Sequence, residues 1–123
     1  MKNRKEQGRA GETAAASFLK KQGVRILVHN YQCRWGEIDL IGQAGNTLLI
    51  VEVKTRTSSR QGYPCEAVDV RKQRKISRVY DHFRMERRLD DCQPVRFDVV
   101  EVVETAGGYY CRWIKNAFEY QGM

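Results

Sequence analysis

An α/β protein of three layers, with a mixed central sheet and one helix on each side, is the fold class this chain predicts. Two segments of helical periodicity, a set of strand-like runs between and after them, and the order helix, three strands, helix, two strands lead to it. The length of 123 residues suits one domain spanning 1–123. A chain of that size buries roughly two-thirds of the surface it exposes when unfolded, enough for a core on both faces of a sheet.

The first helix is expected from about Arg9 to Gln22, with Ala10, Ala14, Phe18 and Leu19 inward and Gly23 as its stop. Glu12 falls in its first turn, where a carboxylate suits the helix dipole. Val24 to Asn30 reads as a strand, followed by a turn through residues 31–36. Gly36-Glu37-Ile38-Asp39-Leu40-Ile41 alternates, with Glu37, Asp39 and Ile41 on one side. Leu48-Leu49-Ile50-Val51-Glu52-Val53-Lys54 alternates too, placing Glu52 and Lys54 beside Leu48 and Ile50. Between these runs, residues 42–47 carry the Gly and Asn of a tight reversal, so the two strands form an antiparallel hairpin. Residues 55–64 are polar, cationic and glycine-containing, and predict a mobile surface loop that could close over bound phosphate. A second helix follows, with Asp69 as N-cap and Ile76, Val79, Tyr80 and Phe83 as its buried stripe. Val95 to Val103 is a valine-rich strand, Gly107-Gly108 a turn, and Tyr109 to Ile114 the last strand, anchored by Trp113.

The hairpin carries the chemistry. A two-residue loop at Ala44-Gly45 would pair Asp39 with Ile50, and a four-residue loop from Ala44 to Thr47 would pair Asp39 with Glu52; in both, Asp39, Glu52 and Lys54 share a face. Two carboxylates close together on a half-buried sheet repel, and each costs desolvation. A hard divalent cation removes that problem, because Mg²⁺ takes one or two protein carboxylates plus water and phosphate oxygens. Lys54 would then face a metal-bound water or a phosphate oxygen. A lone Glu-X-Lys is an ordinary exposed ion pair worth little. The upstream aspartate strand and the hairpin spacing are what raise the metal-site reading above it.

Net charge is +7, concentrated between Arg71 and Arg88, where Arg71, Lys72, Arg74, Lys75, Arg78, Arg84, Arg87 and Arg88 face only Asp81 and Glu86. Such a helix face is either a solvated surface or a phosphodiester-binding one. No apolar run approaches the ~20 residues of a membrane span, and the N-terminal residues lead into no signal core, so a soluble, cytoplasmic protein is expected. Cys33, Cys65, Cys92 and Cys111 are scattered, with His29 and His82 as the only imidazoles, which gives a zinc site or a histidine-based triad little support.

Residues 8–12, 30–41, 51–56, 72–75, 96–100 and 113–118 together resemble the YraN-like family of small bacterial proteins. That family is placed in the restriction-endonuclease-like PD-(D/E)XK superfamily and is similar to archaeal Holliday junction resolvases. The resemblance implies that Asp39 is the superfamily's aspartate, Glu52 its second acidic residue and Lys54 its lysine. It also implies that Glu12 is the helix glutamate beside the metal, and that Gln73 is a polar helix residue near the site. The residue before Asp39 is Ile38 where the superfamily motif has proline, a position that many members vary. Asp98 is read as a hydrogen-bonded structural carboxylate.

The function expected is Mg²⁺- or Mn²⁺-dependent hydrolysis of DNA phosphodiesters, including branched DNA. Asp39 and Glu52 would hold the metal with the Val53 carbonyl, Lys54 would orient or deprotonate the water, and Glu12 would assist. Arg56, Arg60, Arg71, Lys72, Gln73, Arg74, Lys75 and Arg78 would hold the strand. The alternative is a non-catalytic nucleic-acid-binding protein that retains the nuclease fold. The oligomeric state stays open, and cutting a symmetric junction would require a homodimer.

Overall fold

A computed structural model describes residues 4–56 and 68–122. Its elements follow the expected order: α1 (Arg4–Lys21), β1 (Arg25–Cys33), β2 (Gly36–Ala44), β3 (Thr47–Arg56), α2 (Val70–Glu86), β4 (Val95–Thr105) and β5 (Gly108–Phe118). The strands form one open sheet in the order β1-β2-β3-β4-β5. Three neighbouring pairs are antiparallel, and β3 and β4 run parallel. A parallel step needs a crossover, and α2 lies within the one that joins β3 to β4. This is the three-layer α/β architecture predicted. Among the described residues, no helix is long and apolar enough to cross a membrane.

Each face of the sheet has its own core. On one side Ile76, Val79, Tyr80 and Phe83 of α2 pack on Ile41, Leu48, Ile50, Phe97 and Val99, and all of them are buried. The stripe read from helical spacing is thus the face that packs. Asp69 caps α2 by accepting from the Lys72 N–H at 2.9 Å. On the other side Ala15, Ala16 and Leu19 of α1 meet Leu40, Leu49, Val51, Val100 and Val102.

The first helix differs from the sequence reading in two ways. It begins at Arg4 rather than near Arg9, so Glu12 lies in its third turn and not its first; the favourable N-terminal dipole that would explain a carboxylate there falls off within the first turn. Its buried line is Gly11, Ala15 and Leu19 at i, i+4, i+8, while Ala14 and Phe18 pack only at the margin of the core. Small residues allow the closer approach. A side chain at Gly11 would collide with that of Thr55 on β3, so glycine is what lets α1 lie against the strand that carries the functional charges.

Strict alternation fails in β2. Ile38 and Ile41 both belong to the α2-side core, whereas Leu40 belongs to the α1 side. The shift occurs at Asp39, between the β1–β2 pairs His29↔Leu40 and Tyr31↔Ile38. There Asn30 of β1 adopts a left-handed backbone, φ 56°. That local twist re-aims both strands together, so Glu37, Asp39 and Ile41 do not form the single row expected. In β3 the expected alternation holds: Leu48 and Ile50 face α2, Leu49 and Val51 face α1.

The last two strands are longer than predicted, and Asp98 explains how β5 continues past Ile114. The β4–β5 register shifts between Phe97 and Val99. Asp98, fully buried there, accepts from the Arg96 guanidinium (2.8 and 2.9 Å), Trp113 Nε1 (2.9 Å) and the Asn116 N–H (2.8 Å). This is the structural carboxylate expected from the sequence, satisfied on both oxygens. The loop expected near 55–64 falls, from residue 57 onward, outside the described residues; Thr55 and Arg56 belong to β3.

Candidate active site

The β2–β3 hairpin closes on Gly45-Asn46, with Ala44 paired to Thr47 and the register running to Leu40↔Val51. One step further, Asp39 stands level with Glu52, the pairing expected of the longer loop although the turn itself is tighter. No backbone pair forms there. Instead the Asp39 carboxylate accepts from the Val53 N–H at 2.8 Å, a side chain taking the place of a ladder partner where the two strands part. The opening of the hairpin therefore creates the site and Asp39 braces it.

Glu52 follows on the α2 side of the sheet, 8% exposed. Its Oε1 lies 3.3 Å from Lys72 Nζ and 4.0 Å from Lys54 Nζ. Lys72 reaches it from the first turn of α2. Burial, then the negative charge of Glu52, pushes the Asp39 carboxyl up from its usual 3.8 to about 7, against the opposing pull of the Val53 N–H. Glu12, half-buried on α1, is raised to about 7 by burial first and then by the charges of Asp39 and Glu37. Three carboxylates thus come within electrostatic reach, with two ammonium groups on one of them. Catalytic sites are places where burial and like-charge neighbours are arranged to shift carboxyl groups in this direction.

Among the described residues, no three Asp, Glu, His or Cys side chains gather as a metal cluster. Asp39 and Glu52 are a two-carboxylate oxygen set, the number Mg²⁺ commonly takes from a protein when water and phosphate complete its shell. Two neighbouring acids, one kept protonated towards neutrality by burial and then by the other's charge, also form a site at which a divalent cation relieves repulsion. These donors fit Mg²⁺ or Mn²⁺.

The other expected residues are more dispersed. Gln73 donates its side-chain amide to the Val68 carbonyl (3.0 Å), bracing the start of α2. Arg56 is ion-paired with Glu101, which makes it the counter-charge of a buried acid. Arg71 and Arg74 are exposed on α2. Lys75 lies across Gly36, and Arg78 covers the Trp35 ring with its guanidinium carbon 3.9 Å from the centroid. Arg60 is outside the described residues.

Glu101 was missed by sequence reasoning. It is 3% exposed, and in the parallel register it stands opposite Lys54. The signal was present, a carboxylate inside Val99-Val100-Glu101-Val102-Val103. Only the strand order shows that it neighbours the lysine. Arg34 and Trp35 beside α2 likewise have no role in the reading from sequence.

The three-layer αβββαββ sandwich, a five-stranded mixed sheet with a helix on each face, is the restriction-endonuclease-like architecture expected from the sequence. Over residues 11–102 the sequence matches the uncharacterised protein family UPF0102. Similar proteins include a UPF0102 protein of Caldicellulosiruptor saccharolyticus, 45% identical over 118 residues covering 94% of this chain and 99% of the relative. Another is that of Lachnoclostridium phytofermentans, 42% identical over 120 residues covering 98% of each. A UPF0102 protein of Symbiobacterium thermophilum is 49% identical over 112 residues, covering 90% of this chain and 94% of its own. The chain belongs to the UPF0102 family, the group that its YraN-like motifs indicate.

Proposed function

We propose that this protein is a Mg²⁺- or Mn²⁺-dependent nuclease that hydrolyses phosphodiester bonds in DNA, with branched DNA as the first substrate form to test. One observation carries the reading: Asp39 and Glu52 crowd each other where the hairpin opens, with Lys54 Nζ 4.0 Å from Glu52 Oε1. A cation between Asp39 and Glu52 would supply the positive charge that offsets a bound phosphate and polarises it. Lys54 would orient the attacking water and steady the charge that develops on the phosphate oxygens. Glu12, with its pKa near neutrality, is suited to take or give a proton through that water. Lys72 would leave Glu52 for the phosphate as substrate enters. Arg71, Arg74 and Lys75 would hold the strand by its backbone, giving salt-sensitive binding without sequence reading. A symmetric junction would need two copies of the chain.

The test is cleavage of branched, duplex and single-stranded DNA and of RNA with either cation, beside the Glu52→Ala protein. Loss of at least about a hundredfold in rate is expected, as for removal of a group that stabilises transition-state charge. Equal rates in the two proteins would assign the activity to something else. One observation favours a second reading, a non-catalytic nucleic-acid-binding protein that has kept the fold: the ammonium groups of Lys72 and Lys54, 3.3 and 4.0 Å from Glu52 Oε1, offset its charge. That protein would bind DNA indifferently to Mg²⁺ and to Glu52→Ala.

A further inference from the structure

Between the β1–β2 turn and α2 lies a cleft of about 370 Å³, lined in part by Gln32, Gly36, Glu37, Lys72 and Lys75. Lys72 joins it to the carboxylates through its 3.3 Å contact with Glu52. Three residues on, the Lys75 side chain crosses Gly36, with Cε 3.0 Å from where a Cβ would stand. Gly36 has φ 141°, a turn conformation that other residues rarely adopt, and its missing side chain is what leaves room for Lys75. Three residues further, the Arg78 guanidinium lies 3.9 Å from the centroid of Trp35, and Arg34 lies 4.7 Å from the same ring. Lys72, Lys75 and Arg78 therefore form a cationic row of about 4.5 Å per step along the helix, ending on a tryptophan that carries two guanidiniums.

Two like charges gathered on one indole repel, and among the described residues neither Arg34 nor Arg78 is ion-paired with a carboxylate. Stacking on the ring, worth about 0.5–1 kcal/mol per exposed contact, holds them there. It leaves the N–H edges of both guanidiniums available for bidentate bonds to phosphate oxygens. It also orders two long side chains before a ligand arrives, an ordering that otherwise weakens binding. We propose that Arg34 and Arg78, stacked on Trp35, form a phosphate clamp that grips the backbone of a DNA strand running from the carboxylates along the Lys72–Lys75 wall of the cleft. This rests on the nucleic-acid reading above and adds two residues to it, Arg34 and Trp35.

The experiment is fluorescence anisotropy of the full chain with a fluorescein-labelled DNA duplex bearing a single-stranded overhang, in EDTA, across a salt series. The Arg34→Ala/Arg78→Ala protein should bind at least about tenfold more weakly at 100 mM salt. Its log–log salt slope should fall by roughly 1.8, at about 0.9 for each phosphate contact. The Lys20→Ala/Lys21→Ala protein, which loses the same charge from the exposed end of α1, should stay within about twofold of wild type in affinity. Trp35→Ala should weaken binding severalfold with no change in charge. Wild-type binding with a clamp variant indistinguishable from the α1 control overturns the clamp alone. No binding by the wild type overturns both the clamp and the nucleic-acid reading.

Discussion

Replacing Asp39 by Asn should stabilise the cation-free protein increasingly as pH rises above about 4, with the full effect reached at neutral and alkaline pH. The folded-state carboxyl keeps its proton to about 7, whereas the unfolded chain releases it near 3.8. The folded state therefore holds the extra proton between those values, so stability falls as pH rises from about 4 to about 7 and levels off above. Each pKa unit corresponds to about 1.4 kcal/mol, which sets a ceiling of about 4 kcal/mol. Proton sharing with Glu52 and the nearby Lys54 and Lys72 bring the expected effect to about 2 kcal/mol. Asn retains an oxygen for the Val53 N–H, so the brace survives while the charge does not. Thermal melts in EDTA should place the Asp39→Asn protein on the order of 5–10 °C above wild type at pH 8, with the two nearly level at pH 4. Adding Mn²⁺ at pH 8 should then raise the wild type alone, by the mass action of a ligand that binds only the folded state. A variant less stable than wild type at pH 8, or an equal difference at both pH values, would refute the account of Asp39 as an acid strained by burial and by its neighbour. Glu12, raised to about 7, adds to the same trend with the same sign.

Asp98→Ala should cost about 3–5 kcal/mol in a denaturant melt, because it leaves the Arg96 charge, Trp113 Nε1 and the Asn116 N–H without their common acceptor; a loss below 1 kcal/mol would show that water replaces it freely. Gly11→Ala should lower stability by about 1–3 kcal/mol through collision with Thr55, and shortening the obstacle with Thr55→Ala in the same chain should recover most of the loss.

Much of the fold was legible because each core-facing pattern repeats locally. The stripe of α2 is a pure 3.6-residue signal, and β3 a pure two-residue one, so both packed as read. The inward face of α1 was harder. Its line of closest approach is made of Gly11 and Ala15, whose small size matters only against a particular strand, and composition gives the larger Phe18 more weight. Asp98 was readable as a buried carboxylate from its place in an apolar strand. Its five hydrogen bonds depend on a register shift that no local pattern announces.

The sequence by itself determined which residues bear the charge: the two acids and the lysine at the ends of apolar strands, the basic helix, and the hairpin that joins the strands carrying the acids. Those follow from periodicity and the turn, which act over a few residues. Only the tertiary structure decided that the strands part at Asp39, that Glu12 belongs to a third turn leaning on the same site, that Glu101 neighbours Lys54, and that Lys72 reaches Glu52. The reason is physical. A pairing partner, a twist imposed by Asn30 on a neighbouring strand, or a pKa raised by another acid is a relation between segments far apart in the chain, and it exists only once the sheet has brought them together.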